Sequence, residues 1–286
     1  MSAEQVTIAE RPARMWPNGG GDRLLAAAAT VTLGRQGERS DVVHDASSSR
    51  DGVIHESVLD RLGFDIACGV IPPGARISSE EIADRFDVSR TVAREVVRVL
   101  ESLGMIRIRR RAGITVLEPH EWQALDPKVI RWRLAGPDRF AQLEWLAELR
   151  SGIEPLAARL AAANATPEQC GALTRAVVGM SATARAANTS AYLDHDIDFH
   201  STLLTASGNP LLRAFAPIVR EVLTGRTEHA LMPQHAEPAA LQLHGDVAAA
   251  IRAGDGSAAE AAMREIVVES ATAVANLQRQ SRPRHH

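Results

Sequence analysis

From Val53 the apolar positions recur near the helical period, through Leu59, Leu62, Ile66 and Ala67, and stop at Gly69 ahead of Pro72-Pro73-Gly74. Ser78 or Ser79 then caps a short helix over Glu80–Phe86, whose first turn carries acids as the helix dipole favours. Asp87-Val88-Ser89 makes a tight turn. A longer helix over Arg90–Leu103 follows, directing Val92, Val96, Val99, Leu100 and Leu103 inward and ending at Gly104. The period then drops to two: Ile106-Arg107-Ile108 and Ile114-Thr115-Val116 flank Ala112-Gly113, which predicts a β-hairpin. Three helices followed by a small hairpin are the layout of a winged helix-turn-helix, here over 51–118.

The second half shows no strand pattern. Helical periods run over Phe140–Asn164, Pro167–Ala187, Ala191–Ser207, Leu211–His229, Pro238–Ala253 and Ser257–Arg279, with breaks at Thr166-Pro167, Gly208-Asn209-Pro210, Met232-Pro233 and Gly254-Asp255-Gly256. An all-α bundle over 138–280 is expected. Between the halves, 119–137 reads as a linker, but Trp122, Leu125, Ile130, Trp132 and Leu134 require it to pack on something. Residues 1–50, with Gly19-Gly20-Gly21, Ser47-Ser48-Ser49 and one weak apolar patch at Leu24–Thr30, read as a disordered arm, and 281–286 as a tail. The predicted fold class is therefore mainly α: an N-terminal winged helix-turn-helix with a β-hairpin wing, joined to a helical bundle.

Composition narrows the function. A chain of 286 residues suggests two domains. Aromatic residues make up only 3%, which argues against a single-strand binder that stacks bases on aromatic platforms. Cys68 and Cys170 are too few and too far apart in sequence for a disulfide framework or a four-thiolate zinc site. No apolar run approaches the ~18–20 residues of a membrane span, so a soluble, cytoplasmic protein is expected. The net charge of −3 gives no global attraction to nucleic acid; any such attraction has to be local.

It is local. Between Val88 and Leu117 seven arginines face only Glu95 and Glu101. Arg90, Arg94 and Arg98 follow an i, i+4, i+8 spacing, which lines them along one helix face off the apolar stripe. Ser89 stands at the N-cap, where a hydroxyl and free amides suit a phosphate. Arg107, Arg109, Arg110 and Arg111 load the hairpin. An arginine-rich helix alone is more often a solvated face. Joined to the turn, the cap and the basic hairpin, it points to double-stranded DNA, with guanidinium groups suited to bidentate reading of guanine.

In the bundle, Asp196 and His200 are spaced i, i+4 on the face that carries Leu193, Ile197, Leu203 and Leu204, and His244 shares its face with Leu241, Val247 and Ile251. Buried without partners, such groups cost several kcal/mol. A divalent metal, a carboxylated ligand or a mutual Asp–His hydrogen-bond network would each satisfy them.

The stretch Gly69–Leu117, with VSRTVARE at Val88–Glu95, LESLGM at Leu100–Met105 and GITV at Gly113–Val116, resembles the winged helix of the GntR family of bacterial repressors. Ala93 stands where the family often has Val, and Glu81 near a position where many members carry Arg. LAELRSGIEPLAARLAA from Leu146, DIDFHSTLLTASGNPLL from Asp196 and LHGDVAAAIRAGD from Leu243 are similar to the effector domain of the FadR branch. Together the likeness covers nearly everything after residue 51. It implies that Ser89, Arg90, Thr91 and Arg94 touch operator DNA, joined by Arg98 and Arg110 from the basic surface, while Gly113 lets the wing approach the minor groove. It also implies a homodimer whose DNA binding responds to a small effector.

Many members of that branch hold a divalent metal with one Asp and three His. Asp196, His200 and His244 fall on three of these positions and Ile266 on the fourth, so the implied site is a three-ligand one for Zn, Mn or Ni, or a metal-free one. LDPKVIRWRL from Leu125 adds a likeness to sugar-acid regulators of galactonate or gluconate catabolism, and Arg150 matches the Arg aimed at an effector carboxylate; its alternative is a salt bridge to Glu154. The expected function is an effector-responsive regulator, most often a repressor, and not an enzyme. The rival readings are a metal-dependent hydrolase on Asp196, His200 and His244, and a regulator that senses the metal itself.

Overall fold

In the computed structural model, the apolar stripe that begins near Val53 belongs to a longer helix, α1, Asp45–Ala67. The structure describes residues 45–110, 113–186, 188–229 and 238–281. Residues 1–44, including the patch at Leu24–Thr30, lie outside them, as do Arg111 and Ala112. The helix thus starts inside the segment read as a disordered arm: 45–52 contains no Pro, and a single Gly52 costs a helix only about 1 kcal/mol.

Strand β1 (Arg76–Ile77), α2 (Ser79–Phe86), α3 (Arg90–Ser102), β2 (Ile106–Arg109) and β3 (Gly113–Val116) complete the first domain. The hairpin is joined by β1, which pairs antiparallel with β3, so the sheet order is β1-β3-β2. Two residues are too short to show an alternation, which is why this strand has no sequence signature. Leu59, Leu62 and Ile66 of α1, Ile82 of α2, and Val96 and Leu100 of α3 are buried together with Met105 and Ile106. Ser78 and Glu81 form a reciprocal capping box at the start of α2. Glu81 therefore serves the helix terminus. Asp65, 2% exposed, anchors Arg85 at 2.7 Å and ties α1 to α2.

The segment 119–137 is not a linker. After a 3-10 turn at Pro119–Glu121 it forms α4, Pro127–Ala135, with Asp126 as its N-cap. Val129, Ile130, Trp132 and Leu134 are all buried, two faces being engaged at once. Towards the first domain, Trp132 lies over Gly63 and its indole donates to Asp60 Oδ1 at 3.0 Å. Towards the bundle, Arg131 makes a bidentate pair with Glu221 at 2.9 and 3.0 Å.

The bundle comprises α5 (Arg139–Asn164), α6 (Pro167–Arg185), α7 (Thr189–Ala206), a short α8 (Pro210–Arg213), α9 (Ala216–Glu228), α10 (Pro238–Ala253) and α11 (Gly256–Ser281). The span Leu211–His229, read as one helix, is two, broken at Ala214-Phe215. Asn209 caps α8 by accepting from the Leu211 amide. Helix α5 runs beside α11, while α7 packs on α5, α6 and α9. Their shared core contains Ala157, Leu173, Phe199, Leu203, Leu223, Val247 and Met263.

The contact between α1 and α4 gives a test. A Cβ added to Gly63 would lie 2.4–2.6 Å from three atoms of the buried Trp132 ring. Gly63→Ala is expected to destabilise the protein by about 1–3 kcal/mol, read as a lower urea midpoint. An unchanged midpoint would show that the indole can retreat without cost.

Candidate functional site

Two sites emerge, one exposed and basic, the other buried. The first is built on α3. Its apolar side, Ala93, Val96, Val97 and Leu100, is consumed by the domain core, which leaves Arg90, Thr91, Arg94 and Arg98 exposed on the other side. Ser89 is the N-cap: its hydroxyl accepts from the Val92 amide at 3.2 Å. The preceding turn is made by Asp87 in a left-handed conformation, φ 51°. Arg98 pairs with Glu95 on the same helix, and Arg107 of the wing pairs with Glu121. Arg109 and Arg110 are exposed at the wing tip, and Gly113 follows with φ 82°. Arg90, Thr91 and Arg94 therefore project from the first turns of an exposed helix next to a basic hairpin. That geometry suits a helix entering a DNA groove with its N-terminal residues against the bases.

The second site lies inside the bundle. Asp196 and His200 project from α7 and His244 from α10, and all three are at most 5% exposed. Asp196 Oδ1 lies 3.4 Å from both His200 Nε2 and His244 Nε2, long contacts that leave Oδ1 and His244 Nε2 without a completed hydrogen bond. His244 Nδ1 is 2.6 Å from the Ala240 carbonyl and donates to it, which turns Nε2 towards Asp196. The edges of both imidazoles meet Phe199, at ring-centroid distances of 5.6 and 4.9 Å.

The alternative read for Arg150, a salt bridge to Glu154, is the one the structure forms, and that acid also reaches the second site. Glu154 of α5 is fully buried; its Oε2 lies 2.9 Å from His200 Nδ1, and both its oxygens accept from Arg150, at 2.6 and 3.2 Å. Burial alone would raise the Glu154 carboxyl, but Arg150 and His200 overcome it and hold it at about 2. For His200, burial opposes the charge, while the Glu154 and Asp196 carboxylates favour it and push the imidazole up to about 9. Asp196 is held far below the usual carboxylate range by the two imidazoles, against the cost of its burial. Arg150 therefore sits where the sequence places it, at the edge of the buried stripe, with two of its donors committed to Glu154.

The donor set fits a divalent ion. One carboxylate oxygen and two imidazole nitrogens can be chosen within 4.8 Å of one another. Such N/O ligands suit Zn, Mn or Ni, and a carboxylate behind a coordinating imidazole, as Glu154 stands behind His200, is the usual second support. Ile266 is buried in the bundle core and brings no donor. Arg150 also lines a cavity of about 400 Å³ between α5, α9 and α11, together with Arg226, a second buried arginine that the sequence reading missed.

Both sites fall within regions that match known protein families. Residues 54–116 match the bacterial regulatory proteins of the gntR family, and residues 145–269 match the FCD domain. The chain is similar to the galactonate operon transcriptional repressor of Escherichia coli (strain K12), 30% identical over 75% of this chain and 94% of that protein. It is also 32% identical to an uncharacterised HTH-type transcriptional regulator of Mycobacterium tuberculosis, over 76% of this chain and 88% of that one. Among solved structures, the Streptococcus agalactiae GntR protein aligns with 25% identity and a TM-score of 0.42, over 76% of this chain and 99% of its own. The family matches and the curated relatives set aside the hydrolase reading. The chain belongs to the GntR family of bacterial regulatory proteins, and its winged helix and FCD domain make it a DNA-binding transcriptional regulator.

Proposed function

We propose that this protein is a cytoplasmic, homodimeric repressor of a sugar-acid catabolic operon, released from its operator by an aldonate of the galactonate or gluconate type. The arrangement that supports this reading is the pairing, in one chain, of an exposed arginine-bearing recognition helix with a buried cluster of Asp196, His200 and His244 beside an arginine-lined cavity. Likeness to the galactonate operon repressor, and over 49% of the chain to the Uxu operon transcriptional regulator, 34% identical, favours the sugar-acid class.

On the DNA side, Arg90, Thr91 and Arg94 read base edges. Ser89, Arg98 and Arg110 contact phosphates, and Gly113 brings the wing to the minor groove. Two copies related by a two-fold axis engage the halves of a pseudo-palindromic operator. On the effector side, Arg150 holds the cavity floor, and Asp196, His200 and His244 hold a divalent ion. Such an ion, when bound, supplies a Lewis-acidic anchor for effector oxygens. Release of DNA requires the effector to bind the DNA-competent and released arrangements with different affinities.

The decisive experiment is fluorescence anisotropy on the DNA upstream of the gene, titrating galactonate and gluconate at fixed ionic strength, because phosphate contacts make affinity salt-dependent. Tight binding that one aldonate releases is expected. Tight binding indifferent to every sugar acid would discard the effector class. In the same assay Arg94→Ala should weaken operator binding by about 10–100-fold, or ~1–3 kcal/mol, while effector binding persists. Equal operator affinity in the variant would remove Arg94 from the interface.

Metal and proton compete for His200. Its imidazole is raised from 6.5 to about 9 in the folded protein, so in metal-free protein its charge contributes stability fully below pH 6.5 and loses that contribution as pH rises through 9. The stability advantage of the metal-free wild type over His200→Gln should therefore shrink by on the order of 1–3 kcal/mol between pH 6.5 and 9.5. Zinc affinity should rise over the same window, because coordination needs the neutral ring. A metal affinity that is flat with pH would exclude His200 as a ligand.

A further inference from the structure

Arg226, on α9, is only 6% exposed, and it is the less well neutralised of the two arginines that line the cavity. Arg150 is matched by a full carboxylate, Glu154, on its own helix. Arg226 instead donates Nη1 to a neutral hydroxyl, Ser270 Oγ of α11, and its buried Nε has no hydrogen-bond partner among the described residues. Burial and the neighbouring positive charge of Arg150 depress its guanidinium to about 10, against the weaker pull of Asp196, Tyr192 and Glu269. A buried guanidinium with an unused donor is destabilising unless something arrives to pair with it, and a planar fork is matched best by a carboxylate.

The cavity offers the room. Its volume of about 400 Å³ lies in the range of small-ligand sites. Ser151 and Ser270 place hydroxyls on its wall beside the two guanidinium groups, while Phe140 and Leu143 supply an apolar side. The exposed Glu144 and Glu148 also line it, so its cationic character is confined to the buried end.

We infer that Arg226, aimed by Ser270, is the anchor for the effector's carboxylate, and that the cavity between α5, α9 and α11 takes a hydroxylated carboxylic acid of about six carbons with its acid end inward. This rests on the sugar-acid reading above and adds a residue to it. Arg150, already engaged by Glu154, becomes the supporting cation, and Arg226 recognises the anion.

The test is isothermal titration of the full-length protein with galactonate, gluconate, the uncharged polyol galactitol, and hexanoate and succinate as acids without the hydroxyl chain. Wild type should bind an aldonate at least 30-fold more tightly than galactitol. Arg226→Gln should lose at least 30-fold in aldonate affinity and bring it to the galactitol level. Arg226→Lys, which keeps the charge without the fork, should fall between, and Ser270→Ala should lose a few-fold. Melting of each ligand-free variant shows whether it is folded; if the Gln variant is not, the Lys and Ser270 variants decide. Aldonate affinity equal in wild type and the Arg226 variants would overturn the anchor and leave the sugar-acid reading standing. Tight binding of hexanoate or succinate alone, lost in Arg226→Gln, would keep the anchor and discard the sugar acid. Binding of none of these carboxylates would overturn both.

Discussion

Glu154 is a carboxylate with no exposure to water in the middle of a helical bundle, and the surrounding polar arrangement follows from what it needs. Moving a single carboxylate out of water costs several kcal/mol even after relaxation, so it survives there only if its oxygens are fully matched. Arg150, one helical turn before it, provides a two-point match, and His200 from α7 provides a third contact. Once His200 is held by that carboxylate through Nδ1, its Nε2 faces Asp196, and His244, held through Nδ1 by the Ala240 carbonyl, faces the same oxygen from α10. Glu154 thus fixes His200 and the Ala240 carbonyl fixes His244, so that donors from α7 and α10 meet at Asp196. Apolar residues of similar volume would often serve stability equally well at such a site. The retention of this many charges in a core of Leu, Ala and Val is more readily explained by binding than by folding.

The same economy of contacts links the bundle to the DNA-binding domain. Helix α9 carries Arg226 on the cavity wall and, next to it, Gly225, where a Cβ would lie 2.8 Å from Leu134 of α4. One turn earlier, Glu221 grips Arg131 of α4 with both oxygens. Helix α4 in turn holds α1 through Trp132 against Gly63 and Asp60, and through Lys128 with Glu56. Helix α1 ends on Asp65, which fixes Arg85 of α2 ahead of the recognition helix. These contacts are close-packed or bidentate and have little slack, so a displacement of α9 must be taken up by α4 rather than lost in a loop. Contiguity of this kind is a route, and a two-state element biased from both ends is still what makes it allosteric.

How much of this was legible in the chain depended on whether a feature was local. The winged helix was readable because its signals are one-dimensional: the apolar period, the Ser89 cap, the Gly104 stop and arginines left off the stripe all lie in adjacent turns. The inward placing of Asp196 and His200 on one helix and of His244 on another was readable for the same reason, whereas their grouping into one site came from the family likeness. The short strand Arg76–Ile77 was not, since two residues carry no period and its pairing with Ile114 and Thr115 is non-local. Residues 119–137 kept the polarity of a connector because α4 is buried on opposite sides by different domains, which replaces a single apolar stripe with a mixture of Trp, Arg and Ile.

Arg226, which escaped notice, and Glu154, named only as a salt-bridge alternative for Arg150, are residues whose charge suggested water. Glu154 follows Arg150 by four positions, a spacing that on most helices marks an exposed pair worth a few tenths of a kcal/mol. Arg226 lies in a stretch with Arg220, Glu221 and Glu228 whose density of charge suggests a solvated segment. The packing of α7 and α11 on α5, and the contact of Arg226 with Ser270 of α11, turn these residues inward, and such packing is a property of the assembled bundle. The signal available in the sequence was physical: Ile218, Val219, Val222 and Leu223 lie within about 140° of one face of α9, and Arg226, four positions after Val222, falls in the middle of that apolar face. A charged residue in the middle of an apolar face is left to find its partner inside. For Arg226 the protein itself supplies only a hydroxyl, and a neutral partner leaves a buried cation electrostatically incomplete.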